Sequence, residues 1–315
     1  MRHFLIDTDT GSDDAVALVM ALTNPEIRVE AITVVAGNVP LEQGVQNALY
    51  TVERTGANVP VYQGMGAPLL RPHESAQHVH GSDGMGDIGL DVYGRVPAPE
   101  HATEVLQETI NRYPGEITLV TLGPLTNVAM TLLRDPSLAG KVSNCVIMGG
   151  TGRGHGNVTP VAEYNIWVDP EAAQIVFESG MPITMVGWDV SYTYATLNKA
   201  ETDRLRAVGT PLATFCVDIQ AALIKFATET AGLDGFDLPD PIAMAVAIDP
   251  SVVTKSRRLF VGIETGGVWC RGQTVVDLLG VTGRNPNVEV VVEASRERFL
   301  EMLHESVTDR DRLTA

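Results

Sequence analysis

Basic residues are scarce in this sequence of 315 residues, and lysine occurs only four times. The 22 lysine and arginine residues stand against 39 aspartate and glutamate residues, so the formal net charge is −17. Such a charge repels the phosphate backbone of nucleic acids and the surface of anionic membranes. We therefore expect no nucleic acid and no membrane as partner, and a neutral or cationic small molecule as ligand.

Cysteine is also rare, because the chain holds only Cys145, Cys216 and Cys270. Their odd number and wide, irregular spacing argue against disulfides and against a cysteine metal site, which predicts a reducing, cytoplasmic setting. The first residues lead directly into an acidic turn without an apolar signal region, and no stretch approaches the roughly 20 apolar residues of a membrane span. We therefore expect a soluble, cytoplasmic protein.

Glycine-rich loops that bind phosphates are missing as well. The sequence contains no G-x-x-x-x-G-K-[ST] motif. Its one formal G-x-G-x-x-G match, residues 84–89, lies in a polar stretch with no strand before it. Neither a dinucleotide nor a nucleoside triphosphate is therefore the expected ligand.

The sequence does contain a repeated order of apolar strand, polar turn and helix. Continuous apolar runs are typical of parallel strands that are covered on both faces. The order predicts an α/β fold with an open, mostly parallel (mixed) sheet and helices on both faces. A single domain over residues 1–315 fits the length. The clearest strands are residues 4–7, 27–35, 117–122, 145–148 and 183–188.

Four aspartates crowd the turn after the first strand, and no lysine or arginine lies between residues 2 and 28. Like charges this close raise each other's pKa unless a positive charge intervenes. A bound hard cation, Ca²⁺ or Mg²⁺, is the simplest source of that charge, since all the ligands are oxygens. The alternative is that Ser12 or Asp13 caps the following helix while the other acids are solvated. The four are Asp7, Asp9, Asp13 and Asp14.

Other polar residues follow the ends of later strands. Asn38 comes after the second strand and is either a site residue or a turn residue. Backbone groups of Leu122 face the same crevice. Asp240 lies between two prolines at the start of an apolar helix, as an N-cap or as a further metal ligand. His80 belongs to a long polar stretch, residues 69–93, of a length that is usually functional or disordered.

Amides and a carboxylate also cluster in residues 157–165 without basic partners. Asn157, Glu163 and Asn165 offer oxygens that can accept hydrogen bonds from the hydroxyls of a sugar. Ordinary polarity of a surface loop explains any one of them equally well. The cluster as a whole favours a polyhydroxylated ligand.

With these motifs the chain resembles the calcium-dependent nucleoside hydrolases of the inosine-uridine-preferring type, over essentially its full length. The strongest match is the opening D-x-D-x-G-x-D-D-A at residues 7–15. Further matches follow in order: AGN at 36–38, HG at 80–81, LGPLTN at 122–127, MGG at 148–150, EYN at 163–165, DP at 240–241 and RGQTVVD at 271–277. The resemblance implies the Rossmann-like fold of that family and hydrolysis of the N-glycosidic bond of ribonucleosides.

The resemblance also implies roles for individual residues. Ca²⁺ would be held by Asp9, Asp14, Asp240 and the backbone carbonyl of Leu122, and Asp9 would act as the base that takes the proton of the attacking water. Asp13 and Asn38 would bind the 2′-hydroxyl side of the ribose and serve catalysis with Asp9. Asp7 would support the site from behind. The rest of the sugar would be positioned by Asn157, Glu163, Asn165 and Met148, and the family is often a homodimer or homotetramer.

The chain departs from the family on the side of the leaving base. In many members the residue before the metal-binding aspartate is a histidine that helps to protonate the base, and here it is Pro239. Residues 224–238 also lack the tyrosines that often cover the base. The leaving-group acid is thus unassigned from sequence: His80 could contact the ribose or base, Phe226 or Phe236 could stack on it, and a water could donate the proton.

Two other functions fit parts of the sequence. The opening DTDTG at residues 7–11 also resembles the D-x-D-x-[TV] motif of phosphatases with an aspartate nucleophile, but these need a later lysine, and the pair Asp13-Asp14 would repel a phosphate. A non-catalytic protein that holds ribosides through calcium is the second alternative, since Pro239 replaces the family's histidine. The potential base Asp9 argues for an enzyme.

Overall fold

The computed structural model describes residues 1–230 and 232–308. It contains twelve strands in these described ranges: β1 (Arg2–Thr8), β2 (Ile27–Val34), β3 (Val61–Gln63), β4 (Ile117–Thr121), β5 (Val142–Met148), β6 (Ile183–Val186), β7 (Thr196–Leu197), β8 (Phe236–Asp237), β9 (Val253–Leu259), β10 (Val261–Ile263), β11 (Thr274–Val276) and β12 (Val288–Ala294).

Thirteen α-helices lie in the same ranges: α1 (Ser12–Thr23), α2 (Leu41–Thr55), α3 (Gln77–His80), α4 (Ala102–Arg112), α5 (Thr126–Arg134), α6 (Tyr164–Val168), α7 (Pro170–Glu178), α8 (Trp188–Tyr194), α9 (Lys199–Arg206), α10 (Pro211–Asp218), α11 (Ala221–Lys225), α12 (Pro239–Ile248) and α13 (Arg296–Val307). Two 3₁₀ turns (Pro136–Lys141 and Pro250–Val252) and a π turn (Phe226–Thr230) complete the helical structure.

Eight strands form the central sheet in the order β3-β2-β1-β4-β5-β6-β12-β9. All neighbours are parallel except β12 and β9, which pair antiparallel at the edge. Successive side chains of β1 enter opposite hydrophobic clusters, Phe4 and Ile6 on one face and Leu5 on the other. The predicted α/β class, with a mostly parallel sheet covered on both faces, is confirmed.

The direction of chain winding changes between β1 and β4. From β1 the chain adds β2 and β3 on one side, then returns to place β4, β5 and β6 on the other. In open α/β sheets ligands bind beyond the carboxyl ends of the strands at such a switch point. The acidic turn follows β1 and Leu122 follows β4, so both lie at this edge.

Residues 211–227 are largely apolar, and their pattern predicts one long helix, but in the structure this helix is broken. Thr210 caps α10, and α10 ends at Asp218, before the separate helix α11. Gly86 packs against the break, where a Cβ at residue 86 would lie 2.5 Å from the carbonyl oxygen of Ile219. No single described helix is long and apolar enough to cross a membrane; only the bent pair Pro211–Asp218 and Ala221–Thr230, with a 43° angle, meets that length and composition jointly.

Candidate active site

The acidic turn between β1 and α1 is completely buried. Asp7, Asp9 and Asp14 have no exposed surface, and Asp13 is 4% exposed. Asp14 does serve the helix start, because its Oδ2 accepts a hydrogen bond from the backbone N–H of Gly11 at 2.8 Å. The alternative of solvated acids around a single cap is therefore wrong.

The carboxylate of Asp9 lies between two glycines, and a side chain at either position would collide with it. A Cβ at Gly37 would come 2.0 Å from its Oδ2, and a Cβ at Gly123 would come 2.6 Å from its Oδ1. The backbone N–H of Asn38 donates to Oδ2 at 2.6 Å, while Oδ1 has no hydrogen-bond partner. Asp9 thus presents one anchored oxygen and one available oxygen.

Asn38 links two of the carboxylates. Its backbone N–H holds Asp9, and its side-chain amide donates to Oδ2 of Asp14 at 3.0 Å. The other oxygen of Asp14 accepts from the hydroxyl of Thr8 at 2.5 Å. Asn38 is 7% exposed and belongs to the site, so its role goes beyond that of a surface turn residue.

Asp240, at the start of α12, completes a cluster that can bind a cation. Carboxylate oxygens of Asp13, Asp14 and Asp240 lie within 4.8 Å of one another. The metal ligands implied by the resemblance include Asp9, Asp14 and Asp240, whereas the three carboxylates that lie close together here include Asp13 in place of Asp9. Burial, followed by the charge of Asp14, raises the pKa of Asp9, of Asp240 and of Asp13, the last to about 8.

The donor set of this cluster suits a hard cation. Oδ1 of Asp9 and Oδ1 of Asp13 are buried without a hydrogen-bond partner. No lysine or arginine within residues 1–230 and 232–308 forms an ion pair with any of these aspartates. Buried carboxylates need a compensating charge, and oxygen ligands match Ca²⁺ or Mg²⁺.

Leu122, Met148 and Asn165 meet beside this cluster. The side-chain amide of Asn165 donates to the carbonyl of Leu122 at 2.7 Å and lies 3.3 Å from both the carbonyl oxygen and the sulfur of Met148. A carbonyl oxygen has two lone pairs, so the Leu122 carbonyl can accept this hydrogen bond and still bind a cation.

Glu163 and Asn157 shape the adjoining segment. Glu163 is buried and accepts hydrogen bonds from the backbone N–H groups of Gly150, Asn165 and Ile166. Burial nevertheless raises the pKa of Glu163 to about 7. Asn157 is exposed at the rim, where its Oδ1 accepts from the backbone N–H of Tyr164 at 2.9 Å.

His80 closes the cluster from the other side. Its Nδ1 lies 3.2 Å from Oγ of Ser12 and 3.6 Å from Oδ1 of Asp13. The residue is 8% exposed, and this burial lowers the pKa of His80 to about 4. The histidine predicted from the polar loop therefore contacts Asp13, and it is neutral at physiological pH.

Asp7 lies behind the cluster, and two of the residues that hold it had no role assigned from sequence. Its Oδ1 accepts from the hydroxyl of Thr33 at 2.5 Å and from the amide of Asn127 at 2.8 Å. Burial raises the pKa of Asp7 to about 7. Asn127 stands in the LGPLTN motif, and that motif is the only sequence signal that points to it.

Sequence reasoning also missed Tyr164 and Asp237. The Tyr164 hydroxyl lies 2.7 Å from the carbonyl oxygen of Gly37 and 2.8 Å from that of Glu74, so it ties three segments together. Asp237 stands three residues before Asp240, and its Oδ2 accepts a hydrogen bond from the hydroxyl of Ser191 at 3.2 Å. Tyr164 stands between two predicted residues, Glu163 and Asn165, and Asp237 stands in an acidic loop.

Fold and site together define an α/β enzyme with a cation-binding carboxylate cluster at the sheet's switch point. A family model described as inosine-uridine preferring nucleoside hydrolase matches residues 4–301. A pyrimidine-specific ribonucleoside hydrolase RihA of Citrobacter koseri is 40% identical over 303 residues, which cover 96% of each chain.

Solved structures agree with this match. A plant nucleoside hydrolase superposes with a TM-score of 0.90 at 34% identity, covering 98% of this chain and 99% of the other. A purine-preferring ribonucleoside hydrolase of Gardnerella vaginalis has a TM-score of 0.90 at 33% identity, covering 97% and 98%. The chain belongs to the inosine-uridine preferring nucleoside hydrolase family and is a ribonucleoside hydrolase. The phosphatase interpretation is thereby excluded.

Proposed function

We propose that the protein hydrolyses the N-glycosidic bond of ribonucleosides with the help of Ca²⁺ and releases ribose and the free base. One observation carries this proposal: three buried carboxylates, Asp13, Asp14 and Asp240, converge within 4.8 Å, and no lysine or arginine of the described residues pairs with them. The ribosyl group becomes positively charged, oxocarbenium-like, as the bond to the base breaks. A buried anionic pocket stabilises that charge.

Asp9, Asp14, Asp240 and the carbonyl of Leu122 would hold the cation. The unpartnered Oδ1 of Asp9 and the free lone pair of Leu122 support this set. A bound Ca²⁺ would lower the pKa of a water molecule in the pocket and supply the positive charge that the cluster lacks.

Asp9 is proposed as the general base. Its Oδ2 is fixed by the N–H of Asn38, whereas Oδ1 has two free lone pairs, one for the cation and one that can receive a proton from the attacking water. The oxygen of this water forms the new bond to the anomeric carbon as the bond to the base breaks. The two glycines beside Asp9 keep the carboxylate in one orientation, which favours a near-attack geometry.

The remaining site residues are proposed to bind the ribose. Asp13 and Asn38 would form hydrogen bonds with the 2′-hydroxyl side of the ribose. His80, which contacts Asp13, would line the same side of the pocket. A second group of residues would contact the other hydroxyls and the body of the sugar, and the contacts around Asn165 support this role. This group comprises Met148, Asn157, Glu163 and Asn165.

Ribose release from a panel of nucleosides tests the proposal. Inosine, guanosine, adenosine, uridine, cytidine and 4-nitrophenyl riboside are incubated with the protein, before and after chelation, and ribose is measured as reducing sugar. We expect cleavage that chelation abolishes and that Ca²⁺ restores. Tight riboside binding without turnover of any substrate would instead support the non-catalytic calcium-dependent riboside-binding protein.

Two further expectations belong to this proposal. We propose a cytoplasmic homodimer or homotetramer, and four apolar side chains that are 78–89% exposed support such an assembly. Light scattering measures the mass directly, and a mass of one chain would contradict it. The exposed side chains are Val268, Trp269, Leu279 and Val281.

A further inference from the structure

Strand pairing holds Asp237 rigidly, a short distance along the chain from Asp240 of the carboxylate cluster. It lies on β8, three residues before Asp240, where it pairs with Thr196 of β7. The next backbone N–H, that of Leu238, donates to the carbonyl of Ala195 at 3.2 Å. The strand pairing fixes the backbone of Asp237, so its carboxyl group has a defined position relative to α12.

Asp237 is half-buried, and its carboxyl group has no cationic partner among the described residues. Its Oδ2 accepts from the hydroxyl of Ser191 at 3.2 Å, and within the described residues it takes part in no ion pair. Ser191 lies on α8, which begins at Trp188, so the carboxyl group of Asp237 lies next to this helix. Burial raises the pKa of Asp237 above the ordinary aspartate value, although Ser191 and Trp188 act in the opposite direction.

Aromatic side chains flank Asp237 on α8 and the loop before α6. The rings of Trp188 and Tyr192 have centroids 5.1 Å apart, and the ring of His155 lies 5.1 Å from that of Trp188. Tyr192 is 40% exposed. These partly open rings offer apolar faces of the kind on which nucleobases stack.

This aromatic group adjoins the segment proposed to bind ribose. The backbone N–H of Trp188 donates to the carbonyl of Gly150, and the N–H of Gly150 donates to Glu163. Asp237, three residues before Asp240 and hydrogen-bonded to α8, and Trp188 therefore lie between Asp240 and Glu163. A base attached to a ribose that is bound between Asp240 and Glu163 would extend toward this rim.

The other residues near the base side are less suited to protonate it. Nδ1 of His80 already faces Ser12 and Asp13. Phe236 is 4% exposed and belongs to the hydrophobic core, and Phe226 packs edge-on against His78. Pro239 carries no donor.

We propose that Asp237 is the leaving-group acid of this enzyme and that the base stacks on Trp188. The proposal rests on the ribonucleoside hydrolysis proposed above. As the bond between the anomeric carbon and the base nitrogen breaks, its electron pair passes into the base, and the carboxyl proton of Asp237 moves to an acceptor atom of the base ring. Water adds to the anomeric carbon and gives its proton to Asp9. Asp9 then releases its proton to solvent and Asp237 takes one up, so both groups return to their starting states and the net reaction consumes one riboside and one water.

Two substrates separate this role from a structural one. The bases of inosine and uridine are better leaving groups when they are protonated, whereas 4-nitrophenolate leaves without protonation. In Asp237→Asn we expect kcat for the better nucleoside to fall at least ~10²-fold, and kcat for 4-nitrophenyl riboside to stay within ~3-fold of wild type. The matched control is Asp234→Asn, an exposed aspartate of the same loop, which should retain both activities.

The outcomes are distinguishable. An equal loss on both substrates, or no loss on either, overturns the assignment of Asp237. Wild-type protein that cleaves none of the substrates overturns the proposed function instead. Circular dichroism reports whether Asp237→Asn folds; if it does not, the same ratio is measured in Asp237→Ser and in Ser191→Ala, which removes only the hydroxyl. If neither variant loses activity selectively on the nucleoside, the proposal is contradicted.

Discussion

The Cα atom of Gly37 packs directly against the carboxylate of Asp9, so that a Cβ at residue 37 would lie 2.0 Å from Oδ2 and 2.7 Å from the carboxyl carbon. Real Cβ atoms do not approach other heavy atoms so closely, and the aspartate would have to move. The same Oδ2 accepts the N–H of Asn38, the next residue along the chain. The orientation of Asp9, the proposed general base, thus depends on the absence of a side chain at residue 37.

Gly37→Ala should therefore displace Asp9 while leaving the fold largely intact. A displacement of about 1 Å at a catalytic group costs on the order of 10²-fold in rate, and we expect a loss of that order in kcat. Gly140→Ala is the matched control, because no atom lies within 4 Å of a Cβ built there. Ribose release and thermal melting are measured on both variants; wild-type kcat in Gly37→Ala would mean that Asp9 has room to adjust.

Asp9→Asn tests the general base itself. Asparagine keeps the size of the side chain and can accept the N–H of Asn38 through its carbonyl oxygen, but it cannot take a proton from water. We expect kcat to fall at least ~10²-fold with little loss of stability. Asp91→Asn, at an exposed site, should have no effect on either quantity. Turnover near the wild-type rate in Asp9→Asn would remove this residue from its assigned role.

Local sequence determined the parts of the site that could be predicted. The acidic turn and Asn38 follow directly from strand ends, so their proximity is a consequence of parallel pairing between β1 and β2. Asp7 was also expected behind the site, and its partners Thr33 and Asn127 lie on the neighbouring strand and on α5. The hydrophobic pattern was sufficient for the acidic turn and Asn38, whereas the position of Asp7 was implied by the family resemblance.

The parts that were missed depend on contacts between distant segments. Tyr164 reaches Gly37 across 127 positions, and Asp237 meets Ser191 across 46, so no local pattern marks either residue. The break after α10 has a similar origin, because the close approach of Gly86 to Ile219 is a tertiary contact. Helical periodicity over residues 211–227 carries no information about that contact.

Removal of the Asp240 carboxylate should have opposite effects on the stability of the protein with and without the cation. In the chelated protein, Asp240→Asn relieves repulsion from Asp14, Asp13 and Asp9, so we expect a melting temperature equal to or above that of wild type. Ca²⁺ at ~100 times its Kd should stabilise wild type by about 2.7 kcal/mol. The variant should lose most of this gain. Thermal melting with and without Ca²⁺ measures both effects, with Asp91→Asn as control; an undiminished Ca²⁺ shift in Asp240→Asn would exclude Asp240 as a ligand.

The buried Glu163 should make the stability of the metal-free protein depend on pH. The pKa of Glu163 is raised to about 7 in the folded protein, against about 4.3 for glutamate in an unfolded chain. Between these values the folded state binds the extra proton, so the free energy of unfolding falls as pH rises through this range and levels off above about 7.

Glu163→Gln removes this titration, and the variant should lose less stability than wild type between pH about 5 and about 8. The glutamine also weakens one of the three backbone hydrogen bonds at this position, which lowers the stability of the variant by a similar amount at both pH values. Urea unfolding in the presence of a chelator gives the two differences, and Glu116→Gln, at an exposed glutamate, is the control. Equal losses in wild type and Glu163→Gln would mean that Glu163 is ionised throughout, and that its three N–H donors outweigh its burial.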